Sequence, residues 1–258
     1  MVKKAVIIGI NYTGTPSQLH GCVNDAENMR DALVGHGYAI NKMLTDSPAT
    51  PVADRPTKAN ILAALRGLIH GATAQDNLFV HYSGHGTQVR DYNRDEQDGR
   101  DEAWMPLDYS RAGLITDDEL HATLCRCPAK VVVVSDSCHS GTVMDLRVNY
   151  VQYGRHNMVT RVNPKSRSLP TQYVCISGCM DNQYSADTVA PDPETRRSEP
   201  QGAMTWCLLT ILKQESPKTL TYRRLMKRLW QQLAANGYPQ VPQLSASHHL
   251  DLNQPFVW

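Results

Sequence analysis

Two short stretches of the chain set a reactive side chain among small residues directly after a strand-like apolar run. Asn77-Leu-Phe-Val-His-Tyr82 leads into Ser83-Gly-His85-Gly86, and Val131-Val-Val-Val134 leads into Ser135-Asp-Ser-Cys138-His-Ser-Gly141. A cysteine is nucleophilic as its thiolate, so one that does chemistry needs an imidazole nearby to take the proton and return it to a leaving amine. If the two runs are neighbours in a parallel sheet, His85 and Cys138 emerge at the same end of it, as a cysteine nucleophile with a histidine partner. The flanking glycines let backbone N–H groups approach a developing oxyanion, each worth about 3 kcal/mol. Gly86 and Cys138 are the expected donors. Taken singly, a cysteine after a buried strand is a small core hydrophobe, and His85 is a packed or surface histidine. The pairing of the two settings is what points to chemistry.

Other chemistries fail on specific residues. Gly9 to Gly14 imitates the start of a phosphate-binding loop, but Thr15 and Pro16 stand where Lys and Ser/Thr are required. Ser83 lacks the glycine two places earlier that a serine nucleophile elbow needs. Cys125 and Cys127, with His121 nearby, have no second ligand pair at zinc-site spacing.

Alternating strands and helices must position the two reactive residues. Apolar runs predict strands at Ala5 to Ile10, Ala39 to Leu44, Asn77 to Tyr82, Val131 to Val134 and Tyr173 to Ser177, with a last one at His248 to Leu252. Asn24 with Glu27, and Thr116 with Glu119, resemble capping boxes, and Thr57 can cap the helix that carries Ile61, Leu65 and Leu68. Further helices are expected at 203–214 and 222–235. Asp91 to Glu102 is an acid-rich loop, 147–170 an irregular stretch and 190–200 a proline-rich loop. The rhythm predicts an α/β fold, a mostly parallel sheet with helices on both faces and the site at the carboxyl ends of the strands.

Composition narrows the field further. The 258 residues are 41% hydrophobic and 20% charged, an ordinary globular balance. Lys and Arg number 26 against 25 Asp and Glu, a net charge of +1, so no global basic field exists to hold nucleic acid or an anionic membrane. Seven cysteines fall into no disulfide framework, and a reduced, cytoplasmic chain is expected. Six apolar residues after Lys3 and Lys4 are too few for a signal peptide, so neither a leader nor an N-terminal regulatory segment is expected.

The same blocks resemble the signatures of a known family. His81-Tyr-Ser-Gly-His-Gly-Thr-Gln88 and Asp136-Ser-Cys-His-Ser-Gly141 are similar to the two catalytic blocks of the metacaspases, caspase-like cysteine peptidases. Leu19-His-Gly-Cys-Val-Asn-Asp25, Asp98-Gly-Arg-Asp-Glu102, Ile115-Thr-Asp-Asp118 and Ile176-Ser-Gly-Cys-Met-Asp-Asn-Gln183 resemble further family blocks in the same order. With so compact a chain, the resemblance is greatest to the bacterial forms called orthocaspases. It implies a single caspase-like three-layer domain over 1–258: a large-subunit-like part at 1–146 with both catalytic residues, a linker loop at 147–172 and a small-subunit-like part at 173–258.

The resemblance also implies roles. Asp25 and Asp136, with Ser83 and Cys22 beside them, match the pocket for the residue before the scissile bond; two carboxylates there favour Arg or Lys and repel aspartate. Asp101, Asp117, Asp118 and Asp145 match the ligands of one Ca²⁺ in calcium-dependent members, an all-oxygen set suited to a hard cation. Arg147, Arg155, Arg161, Lys165 and Arg167, or Arg196 and Arg197, offer sites where a basic-specific peptidase could cut itself. Protein or peptide substrates, a monomeric state and no nucleic-acid or membrane partner are expected. The competing expectation is a catalytically silent caspase-like module used for binding or scaffolding.

Overall fold

The structure is a computed structural model that describes residues 1–91, 99–137, 144–154, 157–166, 169–178, 187–191 and 198–258, with the side chains of 187–191 and 198–199 left out. In chain order the elements are β1 (Lys3–Gly9), α1 (Cys22–Gly35), β2 (Ala39–Thr45), α2 (Lys58–Ile69), β3 (Asn77–Ser83), β4 (Gly86–Arg90) and β5 (Arg100–Trp104). They continue with α3 (Tyr109–Ala112), β6 (Ile115–Thr116), α4 (Asp117–Leu124), β7 (Lys130–Asp136), β8 (Val148–Tyr153), β9 (Asn157–Val162) and β10 (Tyr173–Ser177). The last are β11 (Asp187–Pro191), β12 (Ser198–Gly202), α5 (Ala203–Gln214), α6 (Tyr222–Ala235) and β13 (Gln243–Ala246).

One eight-stranded sheet runs β2-β1-β3-β7-β10-β13-β8-β9. The pairs from β2 to β10 are parallel; β13, β8 and β9 complete it antiparallel. Because side chains alternate across a strand, each central strand feeds two cores. Ala5, Ile7, Phe79, Val132 and Val134 pack with α1, α5 and α6 on one face. Val6, Ile8, Val80, Val131 and Val133 pack with α2 and α4 on the other. On α6, Leu225, Met226, Leu229, Trp230 and Leu233 recur at helical spacing and are buried, each contributing about 1.5–3 kcal/mol.

Local signals explain the starts of α2, α4 and α6. Thr57 accepts from the Asn60 amide, and Thr116 and Glu119 form a reciprocal capping box at α4. The start of α1 differs from the reading of Asn24 and Glu27 as its cap. The helix begins at Cys22, and its first amides, Cys22 and Val23, donate to the Asn11 side chain from the β1 loop at 2.9 and 3.3 Å. Asn24 instead donates to the Pro200 carbonyl at 2.9 Å. A nonlocal cap leaves no pattern in the adjacent sequence.

Other expectations are corrected in the same way. The stretch expected to be irregular at 147–170 contains β8 and β9, a hairpin that extends the main sheet. Val148 and Tyr150 are buried, but β9 is an exposed edge strand whose polar residues hide the strand pattern. The acid-rich loop ends in β5 from Arg100, and the proline-rich loop is flanked by the paired strands β11 and β12. The last strand is Gln243–Ala246, ahead of the expected 248–252.

Candidate active site

The two reactive runs are neighbours. β3 and β7 pair in parallel, with Ser83 opposite Asp136, and the Gly84 amide reaches the Asp136 carbonyl at 3.4 Å just beyond the last rung. His85 follows Ser83 by two residues and Cys138 follows Asp136 by two, so the chain leaves both strands with equal overhang. Cys138 itself lies outside the described residues.

His85 is held by partners that the sequence reading did not single out. Its Nε2 stands 2.8 Å from the Ser17 carbonyl, which can only accept; Nε2 therefore carries a proton, and in the neutral ring Nδ1 is the basic nitrogen. The imidazole lies 4.8 Å from the Tyr12 ring. Its backbone is clamped twice: the His85 amide donates to Tyr12 Oη at 3.0 Å, and Tyr82 Oη donates to the His85 carbonyl at 2.7 Å. Tyr12 Oη in turn donates to the Met105 carbonyl at 2.6 Å. Tyr12 adopts φ 51, the left-handed region that a bulky residue occupies only when its surroundings enforce it. Tyr82 also stacks on Trp104 at 4.4 Å, and the Trp104 indole donates to Ser135 Oγ at 3.0 Å. Burial pushes the Tyr12 hydroxyl well above its ordinary range, so it stays a neutral donor. Gly86 opens β4 opposite Trp104.

Strand parity collects the expected pocket. Ser83 shares a face with Phe79, and Asp136 shares that face with Val132 and Val134, the side covered by α1 and α5. Asp25 projects there from the first turn of α1. Ser83 Oγ donates to Asp25 Oδ2 at 2.6 Å, the Gly202 amide reaches Asp25 Oδ1 at 2.9 Å, and the Thr205 amide reaches Asp136 Oδ2 at 2.8 Å. Asp25 is 0% exposed and Asp136 3%. Cys22 begins the same helical turn as Asp25 and is buried. Beneath them His81 is fully buried, with Nε2 3.4 Å from Thr205 Oγ1; burial pushes its imidazole down to about 3, so it is neutral. Gly202 and Thr205 had no signal in their own neighbourhood, since their importance comes from contacts far along the chain.

The acids expected to ligate a cation come from separate elements. Asp101 and Glu102 lie on β5, Asp117 and Asp118 open α4, and Asp145 follows β7 in the left-handed region at φ 41. Asp101, Glu102, Asp117 and Asp145 are buried. Asp117 accepts from the Glu102 and Asp118 amides at 3.1 and 2.7 Å. Burial, then the charges of Glu102 and Asp101, push its carboxyl up to about 8. Among the described residues no group of three or more His, Cys, Asp or Glu stands at metal-holding geometry. The donor chemistry nonetheless fits a hard dication: every candidate is a carboxylate, and crowded buried carboxylates are costly until their charge is offset. The described cysteines Cys125, Cys127, Cys175 and Cys207 are free thiols. Among the described residues no helix is long and apolar enough to cross a membrane.

The chain is similar to known proteins over most of its length. A family model for the metacaspase peptidase C14 domain matches residues 3–147. Metacaspase-1B of Neurospora crassa is 36% identical over 302 aligned residues, covering 98% of this chain and 68% of that protein. Metacaspase-1 of Kluyveromyces lactis is 33% identical over 305 residues, covering 99% and 68%. A crystallised protein of Geobacter sulfurreducens superposes with a TM-score of 0.66 at 27% identity, covering 98% of this chain and 97% of its own. The match to the family model and the near-complete alignment with its members have one reading: the chain belongs to the metacaspase family of cysteine peptidases, and its substrates are proteins.

Proposed function

We propose that this peptidase is a calcium-activated endopeptidase that cuts after Arg or Lys, with Cys138 as nucleophile and His85 as its acid–base partner. The observation that carries the specificity is the gathering of Asp25 and Asp136 on one buried face at the carboxyl ends of β3 and β7. A guanidinium or ammonium entering that pocket meets two carboxylates, whereas an aspartate meets repulsion in a low-dielectric setting. The reaction runs through an acyl-enzyme. The Cys138 thiolate attacks the carbonyl carbon, the amide N–H groups of Gly86 and Cys138 receive the oxyanion, and the His85 imidazolium gives its Nδ1 proton to the departing amine. Water, deprotonated by the same nitrogen, then releases the acid product and restores the thiol. The Ser17 carbonyl supports this role by holding Nε2–H and leaving Nδ1 as the basic nitrogen.

Asp101, Asp117, Asp118 and Asp145 would hold the calcium ion. Its charge would offset the repulsion around Asp117 and tie the segment after Cys138, through Asp145, to β5 and α4. Self-cleavage belongs to the same reading. Within 147–172, Arg161 lies inside β9, where ladder hydrogen bonds shield the backbone, while Arg147 and Lys165 stand outside the strands. Arg155, Arg167, Arg196 and Arg197 lie outside the described residues. A monomeric state belongs to the same reading. The free thiols fit a reducing, cytoplasmic setting.

Incubating the purified chain with and without Ca²⁺, beside Cys138→Ala, and mapping the new termini by mass spectrometry tests calcium activation and self-cleavage together. Calcium-dependent fragments ending in Arg or Lys, absent from the variant, are expected. Identical fragments in the variant would refute the proposal.

A further inference from the structure

Gly202 has no backbone reason to be glycine. It precedes α5 at φ −69 and ψ 131, a conformation open to any residue. Its surroundings supply the reason. A Cβ added at 202 would lie 2.4 Å from Asp136 Oδ2 and 2.6 Å from Asp25 Oδ2, so both pocket carboxylates close directly over this one Cα. Neither acid is at liberty to step aside. Asp25 is pinned by Ser83 Oγ and by the Gly202 amide itself, and Asp136 by the Thr205 amide in the first turn of α5. Gly178, at the end of β10, walls Asp136 from the other side, where an added Cβ would meet Oδ1 at 2.9 Å. Gly9 makes an instructive contrast: its added Cβ would meet the Cys22 backbone carbonyl at 2.3 Å, a requirement of packing between β1 and α1 with no carboxylate involved.

We propose that Gly202 is a specificity-determining position. Its bare Cα lets two like-charged carboxylates stand together, and the amides of Gly202 and Thr205 at the positive end of α5 stabilise both as anions before any substrate arrives. The preference for a basic residue is thus set by the β12–α5 junction, an element outside the reactive loops. Asp25 and Asp136 supply the charge, and Gly202 and Thr205 are positioning residues that act through them. This inference rests on the Arg/Lys reading above and adds what holds that pocket in its charged form.

The test uses the full chain and a pair of peptides that differ only before the scissile bond, one with arginine and the other with citrulline, its uncharged isostere. The wild type should favour arginine. Gly202→Ala should reduce that discrimination by at least about tenfold, chiefly through a raised KM for the arginine peptide, with kcat and the alkylation rate of Cys138 little changed. Thermal melting of each variant accompanies the kinetics. Gly178→Ala, whose added Cβ meets Asp136 alone, should give a smaller loss of about threefold and carries the test if Gly202→Ala does not fold. A wild type indifferent to arginine against citrulline overturns the Arg/Lys reading and this inference with it. A wild-type preference that survives intact in a folded Gly202→Ala, or in Gly178→Ala when only that variant folds, overturns the inference alone. Equal losses on both peptides would mark Gly202 as structural only.

Discussion

Ser83 and Asp136 are register partners on the last rung between two parallel strands, and their side chains fall on the same face of the sheet. From that rung one chain continues to His85 and the other to Cys138. The same register therefore sets where the chain leaves the two strands and which side chains share a face with Asp25. Asp25 joins from α1 through its hydrogen bond with Ser83. A shift of one residue in this pairing would turn Asp136 to the opposite face and dissolve the pocket.

Asp136→Asn should discriminate charge from shape. The amide keeps the side-chain volume and can still accept from the Thr205 amide, so melting should change little. Removing one partner from a buried ion pair costs about 2–5 kcal/mol, which predicts a fall of about 30-fold or more in kcat/KM on an arginine substrate. An unchanged kcat/KM would place the specificity elsewhere.

Tyr82→Phe removes the hydroxyl that holds the His85 carbonyl while leaving the stack on Trp104. The lost hydrogen bonds should lower stability by about 1–2 kcal/mol. Because the clamp fixes the imidazole, kcat should fall about tenfold at nearly constant KM. Lost stability at unchanged kcat would reduce the clamp to a structural contact.

Burial holds the His81 imidazole at about 3 in the folded chain, against an ordinary 6.5. The unfolded chain binds the extra proton between those values, so the contribution of His81 to stability is complete above about pH 6.5 and declines as pH falls toward 3. One proton gives a slope of up to about 1.4 kcal/mol per pH unit in that window. Urea melts at pH 7, 6 and 5 should show the decline. The slope should flatten in His81→Leu; an identical slope there would assign the effect to other groups.

If Asp101, Asp117, Asp118 and Asp145 bind calcium in the folded chain alone, the ion must stabilise the fold. At a free concentration a hundred times Kd the gain is about 2.7 kcal/mol. Differential scanning fluorimetry with and without chelator should show the rise, and Asp117→Asn together with Asp101→Asn should abolish it. An equal rise in the double variant would move the site away from these residues.

The sequence makes the central architecture legible because its signals are local. Apolar runs mark β3, β7 and β10, and helical spacing marks α5 and α6 with the bounds the structure gives. The His85 and Cys138 blocks carry their own small-residue context. What escapes is nonlocal. Asn11 caps α1 from a preceding loop, the Ser17 carbonyl orients His85 without using its side chain, and Gly202 meets Asp25 across most of the chain. The β8–β9 hairpin escapes for another reason: an exposed edge strand has no buried face to impose alternation.

In the proposed reaction a basic residue is recognised through Asp25 and Asp136. The most direct measurement is kcat/KM in the presence of Ca²⁺ for two fluorogenic peptides identical except for arginine or aspartate before the scissile bond, with Cys138→Ala as control. Turnover of the arginine peptide should exceed that of the aspartate peptide at least about a hundredfold, with none in the variant. Equal turnover, a preference for aspartate, or activity that survives in Cys138→Ala would contradict it.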